Sequence, residues 1–460
     1  MQREPSRDTL DRVFEAIRAT ALSHAKSARE LDANLTSAAR RIASVDFAQY
    51  DPHEVARRAH GMMVGLSDMR MLLRDEIATW QRKGLMTREV QKALRDLIRI
   101  SRYATDMLGE IAIGHRTLGD GERTWRAFSG PDFNTLGHPS IPSGAAVDFE
   151  AGDVLLMRGM AANSGAIARI GDVDSQYSHV GIVHTDRRGR QFVTEALIED
   201  GAVVKPLDEV LSEGLGRCVV FRHKDASLAA RAGAMIHDYV QRSLTSGMGR
   251  NIVYDFSMEL KGYKRLFCSK LVRQAFDMAS DGKVLLPTYK TSLFMKNRDF
   301  FNRIGVTATE TFAPGDMEIE PDFKMVAEWA DYRVTSDLRL IDLTMDRFFA
   351  WMDAEQYRFK ETLAVNLISG LGRFASILSP DAKTLISDVV PKTPIHMRRR
   401  TIATIVMLHK TTQTVVEELR RHEQSRKAET GRPLHPTEVW ALIEAIRARE
   451  GGVVGYLAPA

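Results

Sequence analysis

The chain has 460 residues, more than one ordinary hydrophobic core accommodates, so two or three domains are expected. Its 44% hydrophobic and 27% charged residues fit a globular protein and exclude a disordered chain. With 64 basic against 60 acidic residues the net charge is only +4. No Arg-Gly repeat, aromatic-basic RNA signature or zinc-finger spacing accompanies it, so nucleic acid is not an expected partner.

Two cysteines, Cys218 and Cys268, are too few for a disulfide framework. The first residues are polar and charged, without the apolar core of a signal peptide, and no stretch approaches the roughly 18 apolar residues of a spanning helix. These features point to a reducing cytoplasm, or to export by a signal-free route.

Residues 1–118 read as a helical domain. Leu10, Val13, Phe14, Ile17 and Ala21 follow helical spacing, as do Val55, Ala59, Met62, Leu66 and Met69, and then Val90, Leu94, Leu97 and Ile98. Asp51-Pro52 and Gly84 are the expected breaks. Residues 119–145 are dense in Gly, Pro, Asn and Ser and read as a linker.

Short β-rich runs follow: Val154–Met157, His179–Val183, Gln191–Ala196, Ala202–Val204 and Arg217–Phe221. Turn signals separate them, so an antiparallel sheet is expected. Helices are expected over Leu207–Leu215, Ala226–Ser243 and Phe267–Ala279. The domain over 146–334 is therefore α+β, a sheet with packed helices. Residues 335–460 return to helices, with apolar stripes through Leu340, Leu343, Phe348, Phe349 and Trp351 and through Ile402, Ile405, Val406, Leu408, Val415, Val416 and Leu419. The basic clusters Arg398–Arg400 and Arg420-Arg421 read as solvated faces, with a partner or membrane-surface helix as the alternative.

Three residues carry candidate chemistry. Cys268 begins a helix, where the helix dipole and nearby cations favour a thiolate and free backbone N–H groups can hold an oxyanion. His179 opens an apolar strand. Glu195 lies on the next strand of the expected hairpin, where residues of one face touch and a carboxylate fixes the tautomer of an imidazole. A metal site is disfavoured, because neither His-Glu-x-x-His nor Cys-x-x-Cys occurs, and no cofactor is expected. Gly247–Asn251 is Gly-rich but lacks the Gly-Lys-Ser/Thr of a phosphate loop.

Three stretches, Gly152-Asp153-Val154-Leu155-Leu156, Ser178-His179-Val180-Gly181-Ile182-Val183 and Phe267-Cys268-Ser269-Lys270-Leu271-Val272, resemble the papain-like NlpC/P-sixty superfamily. The histidine strand precedes the cysteine helix, which is the order of its circularly permuted YiiX/YebB-like branch. The resemblance covers about 148–332. It implies a papain-like α+β fold and a thiol hydrolase of the cysteine peptidase or amidase kind, with Cys268 as nucleophile, His179 as base and Glu195 as the third residue. His, Asn and Gln are also common at that third place. It further implies an oxyanion-assisting tyrosine ahead of the cysteine, at Tyr254 or, alternatively, Tyr263. The expected substrate is a peptide, lipid or other acyl compound, cleaved at an amide, ester or thioester through an acyl-enzyme. Acyl transfer at the same site is one alternative. A non-catalytic helical interaction protein on a papain-like scaffold is another.

Overall fold

The computed structural model describes residues 9–115, 134–141, 147–212, 214–245, 252–360 and 397–460. Four helices come first: α1 (Leu10–Ala21), α2 (Ala28–Ala43), α3 (Pro52–Arg82) and α4 (Arg88–Gly114). The expected breaks fall between them for local reasons. Asp51 caps α3 by accepting from the His53 N–H, with Pro52 as the first helical residue, where its missing donor is harmless. Gly84 takes φ +68° between α3 and α4, a conformation that favours glycine. The stripe residues of all these helices form one buried cluster, Phe14, Ile17, Met62, Leu66, Leu94 and Ile98 among them.

The sheet has seven antiparallel strands in the order β1-β9-β6-β2-β3-β4-β5. These are β1 (Thr135–Gly137), β2 (Val154–Gly159), β3 (His179–Thr185), β4 (Gln191–Leu197), β5 (Gly201–Pro206), β6 (Leu215–His223) and β9 (Phe323–Ala330). Between them lie α5 (Ala162–Ile167), α6 (Leu207–Ser212), α7 (Ala226–Thr245), α8 (Cys268–Ala279), α9 (Arg298–Ile304) and a two-stranded ribbon, β7 (Thr291–Ser292) and β8 (Glu310–Thr311). The fold class is α+β, as expected. Two strands of the seven-stranded sheet went unread in the sequence. Thr135–Gly137, inside the stretch read as a linker, pairs with β9 as an edge strand. The strand β9 itself, beyond the Pro-rich loop, pairs with β6. The rest of the linker stretch, 119–133 and 142–145, and the Gly-rich 247–251 lie outside the described residues.

The Gly-Asp opening of β2 is structural. Gly152 has φ +90° and donates its N–H to the Val183 carbonyl at 2.8 Å. A Cβ there would stand 2.2 Å from the Ala229 carbonyl, so the close approach of α7 to the sheet demands glycine. Asp153 accepts two bonds from Arg222 of β6, at 2.9 and 2.8 Å, and one from the Glu150 N–H. Those bonds tie β2 to its neighbour before the strand begins.

Helices α7 and α8 cover one face of the sheet, packing Ile236, Val240, Leu271 and Phe276 against Val154, Leu156, Val180 and Ile182. The C-terminal segment comprises α10 (Thr335–Ala354), β10 (Tyr357–Phe359), α11 (Arg399–Thr430), α12 (Pro436–Arg449) and β11 (Leu457–Pro459). Its stripes are buried with α5 and α9.

Buried ion pairs fasten both helical segments to the sheet. Arg70 of α3 and Arg102 of α4 both reach the Glu328 carboxylate of β9, and Arg102 also meets Glu318 at 2.9 Å. Asp106 of α4 pairs with Arg217 of β6. Asp342 of α10 accepts from Arg158 of β2 at 2.7 Å and from Arg169 at 3.0 Å. All these side chains are buried, so each charge depends on its partner in place of water. Arg398, Arg399 and Arg400 are exposed, and Arg420 pairs with Asp337. Among the described residues no helix is long and apolar enough to cross a membrane.

Candidate active site

The β3–β4 hairpin sets the histidine and the glutamate. Gly181 stands opposite Glu195 in the register, and His179 lies two residues from Gly181 on the same face, so the two side chains are diagonal neighbours. His179 Nε2 is 2.7 Å from Glu195 Oε2. Glu195 is buried, 4% exposed in its side chain, while the His179 ring keeps 21% exposure. Lys205 Nζ on β5 stands 3.8 Å from the other carboxylate oxygen.

With Nε2 turned to the carboxylate, Nδ1 is the nitrogen left for the thiol. His179 and Cys268 line the same cleft, and the imidazole, the Val180 N–H and the Ser269 side chain all favour the Cys268 thiolate. Cys268 is the first residue of α8. Phe267, the cap position, provides no side-chain acceptor, so the first N–H groups of α8 stay uncapped beside the sulfur.

The electrostatics favour an ion pair. Burial alone raises the Cys268 thiol, but the His179 hydrogen bond and charge bring it below its ordinary value. Burial alone lowers His179, yet the hydrogen bonds and charges of Cys268 and Glu195 push it up to about 10. Burial also opposes ionisation of Glu195, and His179 and Lys205 outweigh it, holding the carboxyl low. The second cysteine, Cys218, is buried in β6, and burial pushes its thiol strongly up. Both thiols are free.

Tyr254 and Tyr263 separate clearly. Tyr254 forms a bridge with Leu266, two residues before Cys268, and lines the cleft with Cys268. Burial and the Cys268 charge raise its hydroxyl well above the usual range, so it stays a neutral donor. Tyr263 donates instead to Asp277 of α8 and does not line the cleft.

Sequence reasoning missed the support around Tyr254. Lys270, two residues into α8, is buried and donates to Asp255 Oδ2 at 2.8 Å, while Asp255 Oδ1 accepts from Ser257. This pair fixes the Tyr254 segment against the cysteine helix. The available signal was a lysine in an otherwise buried first turn. Asn163 of α5, also missed, lines the cleft beside Cys268. Among the described residues no group of His, Cys, Asp and Glu could hold a metal ion.

No curated protein and no solved structure matches the chain. Residues 148–326 hold Cys268, His179, Glu195 and Tyr254, and they match the family of the permuted papain-like amidase enzymes, YaeF/YiiX, C92 family, an assignment to enzymes of the hydrolase kind.

Proposed function

We propose that the chain is a cysteine hydrolase that cleaves an amide, ester or thioester through an acyl-enzyme on Cys268. The observation that carries this reading is the Glu195–His179 hydrogen bond in a cleft that His179 shares with Cys268 at the uncapped start of α8. A carboxylate, an imidazole and a thiol in that order, with the imidazole partly open to a cleft, have what nucleophilic acyl chemistry requires.

The steps follow from the groups. The Cys268 thiolate attacks the carbonyl carbon, and an S–C bond forms as the carbonyl electrons move to oxygen. The first N–H groups of α8, together with the neutral Tyr254 hydroxyl, stabilise that oxyanion. The His179 imidazolium gives its proton to the leaving nitrogen, oxygen or sulfur as the bond to carbon breaks. Water then enters, His179 takes its proton, and the hydroxide displaces the thiolate from the thioester. Glu195 holds the ring and stabilises the imidazolium throughout. Acyl transfer shares every step up to the thioester. The open cleft beside His179, with Glu199, Lys205 and Ser164 on its walls, admits water and favours hydrolysis.

A p-nitrophenyl ester offered to the protein, quenched in acid and examined by intact mass and peptide mapping, tests the reading. An added acyl mass on Cys268, absent from Cys268→Ala together with turnover, is the expected result. Turnover that survives in Cys268→Ala would refute it.

A further inference from the structure

Asn163 interrupts a run of small residues, Ala161-Ala162-Asn163-Ser164-Gly165-Ala166, and asparagine is a weaker helix former than the alanines around it. It is the second residue of α5 and lines the open cleft together with His179, Tyr254 and Cys268. It also lines the apolar side of the sulfur, where Ile405 and Leu408 of α11 form a wall. The side chain therefore stands where the two spaces around Cys268 join.

Helix α5 is firmly seated. A Cβ on Gly165 would come within 2.8 Å of Ile341 Cγ2 and 3.2 Å of Met345 Cγ, so α5 lies directly against α10. Arg169, just past the end of α5, donates to Asp342 at 3.0 Å and to Asp346 at 2.8 Å, both on α10. Since α10 lies beyond residues 148–326, the C-terminal segment fixes where Asn163 stands.

The two ends of the Asn163 carboxamide differ. Oδ1 is buried with no hydrogen-bond partner. Nδ2 is not buried, and no hydrogen bond among the described residues engages it, so the N–H₂ end faces the cleft. The reverse orientation would bury two donors without acceptors, and an orphaned N–H is rarer than an under-satisfied carbonyl oxygen. A free donor thus stands beside the nucleophilic sulfur, with apolar walls on one side that strengthen a hydrogen bond formed there.

We propose that Asn163 is a catalytic residue whose Nδ2–H donates to the oxyanion formed at Cys268, beside the Tyr254 hydroxyl and the first N–H groups of α8. The inference rests on the hydrolase reading and adds a residue to its site. As the sulfur–carbon bond forms, the carbonyl electrons move onto oxygen, and a donor already in place stabilises that charge without reorganisation. Asn163 keeps both its hydrogens throughout, and the electron pair returns to the carbonyl when the leaving group departs.

Two reactions of the full-length protein separate this role from a structural one. Acetylation by p-nitrophenyl acetate passes through an oxyanion. Disulfide formation with methyl methanethiosulfonate uses the same thiolate, with the sulfur–sulfur bond forming as methanesulfinate leaves, and makes no oxyanion. In Asn163→Ala and Asn163→Leu, kcat for the ester should fall by about 10²- to 10³-fold, the range for removing one oxyanion donor. The rate of methyl methanethiosulfonate at Cys268 should match the parent's. Alanine is the better helix former and removes the unpartnered oxygen, so the fold of that variant should hold. A parallel fall in both reactions would make Asn163 a group that shapes or ionises Cys268, and an unchanged ester rate would make it a wall of the cleft. Either result overturns the proposal and leaves the hydrolase reading standing. A parent protein that gives no Cys268-dependent turnover of the ester would sink the hydrolase reading, and the inference with it.

Discussion

Glu195 reaches His179 diagonally across the β3–β4 pair because the residue directly opposite it, Gly181, has no side chain to stand between them. A Cβ on Gly181 would sit 2.5 Å from Val193 Cγ1, on the strand that carries the glutamate. Gly181→Ala should therefore push β4 away and lower stability by about 1–3 kcal/mol, the usual range for overpacking. Urea unfolding of the two proteins measures that cost. A lower acylation rate in the folded variant would report the displaced carboxylate.

Glu195→Gln removes the charge that stabilises the imidazolium but keeps the shape. The expected outcome is a fall in kcat of about 10²-fold or more, approaching the roughly 10⁴-fold loss seen when an aspartate of this role becomes an amide. The thiol should also titrate higher, because less imidazolium faces it. A variant with unchanged kcat and an unchanged pH profile would remove Glu195 from the mechanism.

Tyr254→Phe tests the oxyanion contribution. Loss of one preorganised donor should lower kcat by about 10- to 10³-fold with little change in KM. An effect confined to KM would instead make Tyr254 a wall of the cleft.

The pH dependence has a definite sign. The Cys268 thiol is held below its ordinary value, and His179 is pushed up to about 10. The ion pair therefore exists between those two limits. kcat/KM should rise with pH through the lowered thiol value, hold across neutrality, and fall as His179 loses its proton toward about 10. A rise that begins only near the ordinary thiol pKa of about 8.5 would contradict the pairing.

Much of the site was legible because its parts are local. A cysteine opening a helix, a histidine opening a strand and a glutamate on the next strand of a hairpin each follow from spacing within a short segment. What escaped depends on long-range contacts. Arg70 and Arg102 belong to a residue type that usually faces solvent, and their partner Glu328 lies far along the chain on a strand hidden by its own charged residues. The wall that α11 builds over Cys268 escaped for the same reason, since Ile405 and Leu408 read only as one helix stripe.

Glu328 also gives a stability test. Glu328→Ala leaves the Arg70 and Arg102 guanidiniums buried without that carboxylate, and breaking such a pair costs about 3–5 kcal/mol. A fall of that size in the unfolding free energy extrapolated from urea denaturation is expected. A negligible shift would mean that the N-terminal helices are held to the sheet by apolar packing alone.

The rate of iodoacetamide alkylation of Cys268 against pH, followed by peptide mapping so that Cys218 is counted separately, bears most directly on the central claim. A thiolate paired with His179 should react well below pH 8.5, with His179→Ala moving that rise upward and slowing the reaction near neutrality. A Cys268 that reacts as an ordinary thiol in both proteins would contradict it.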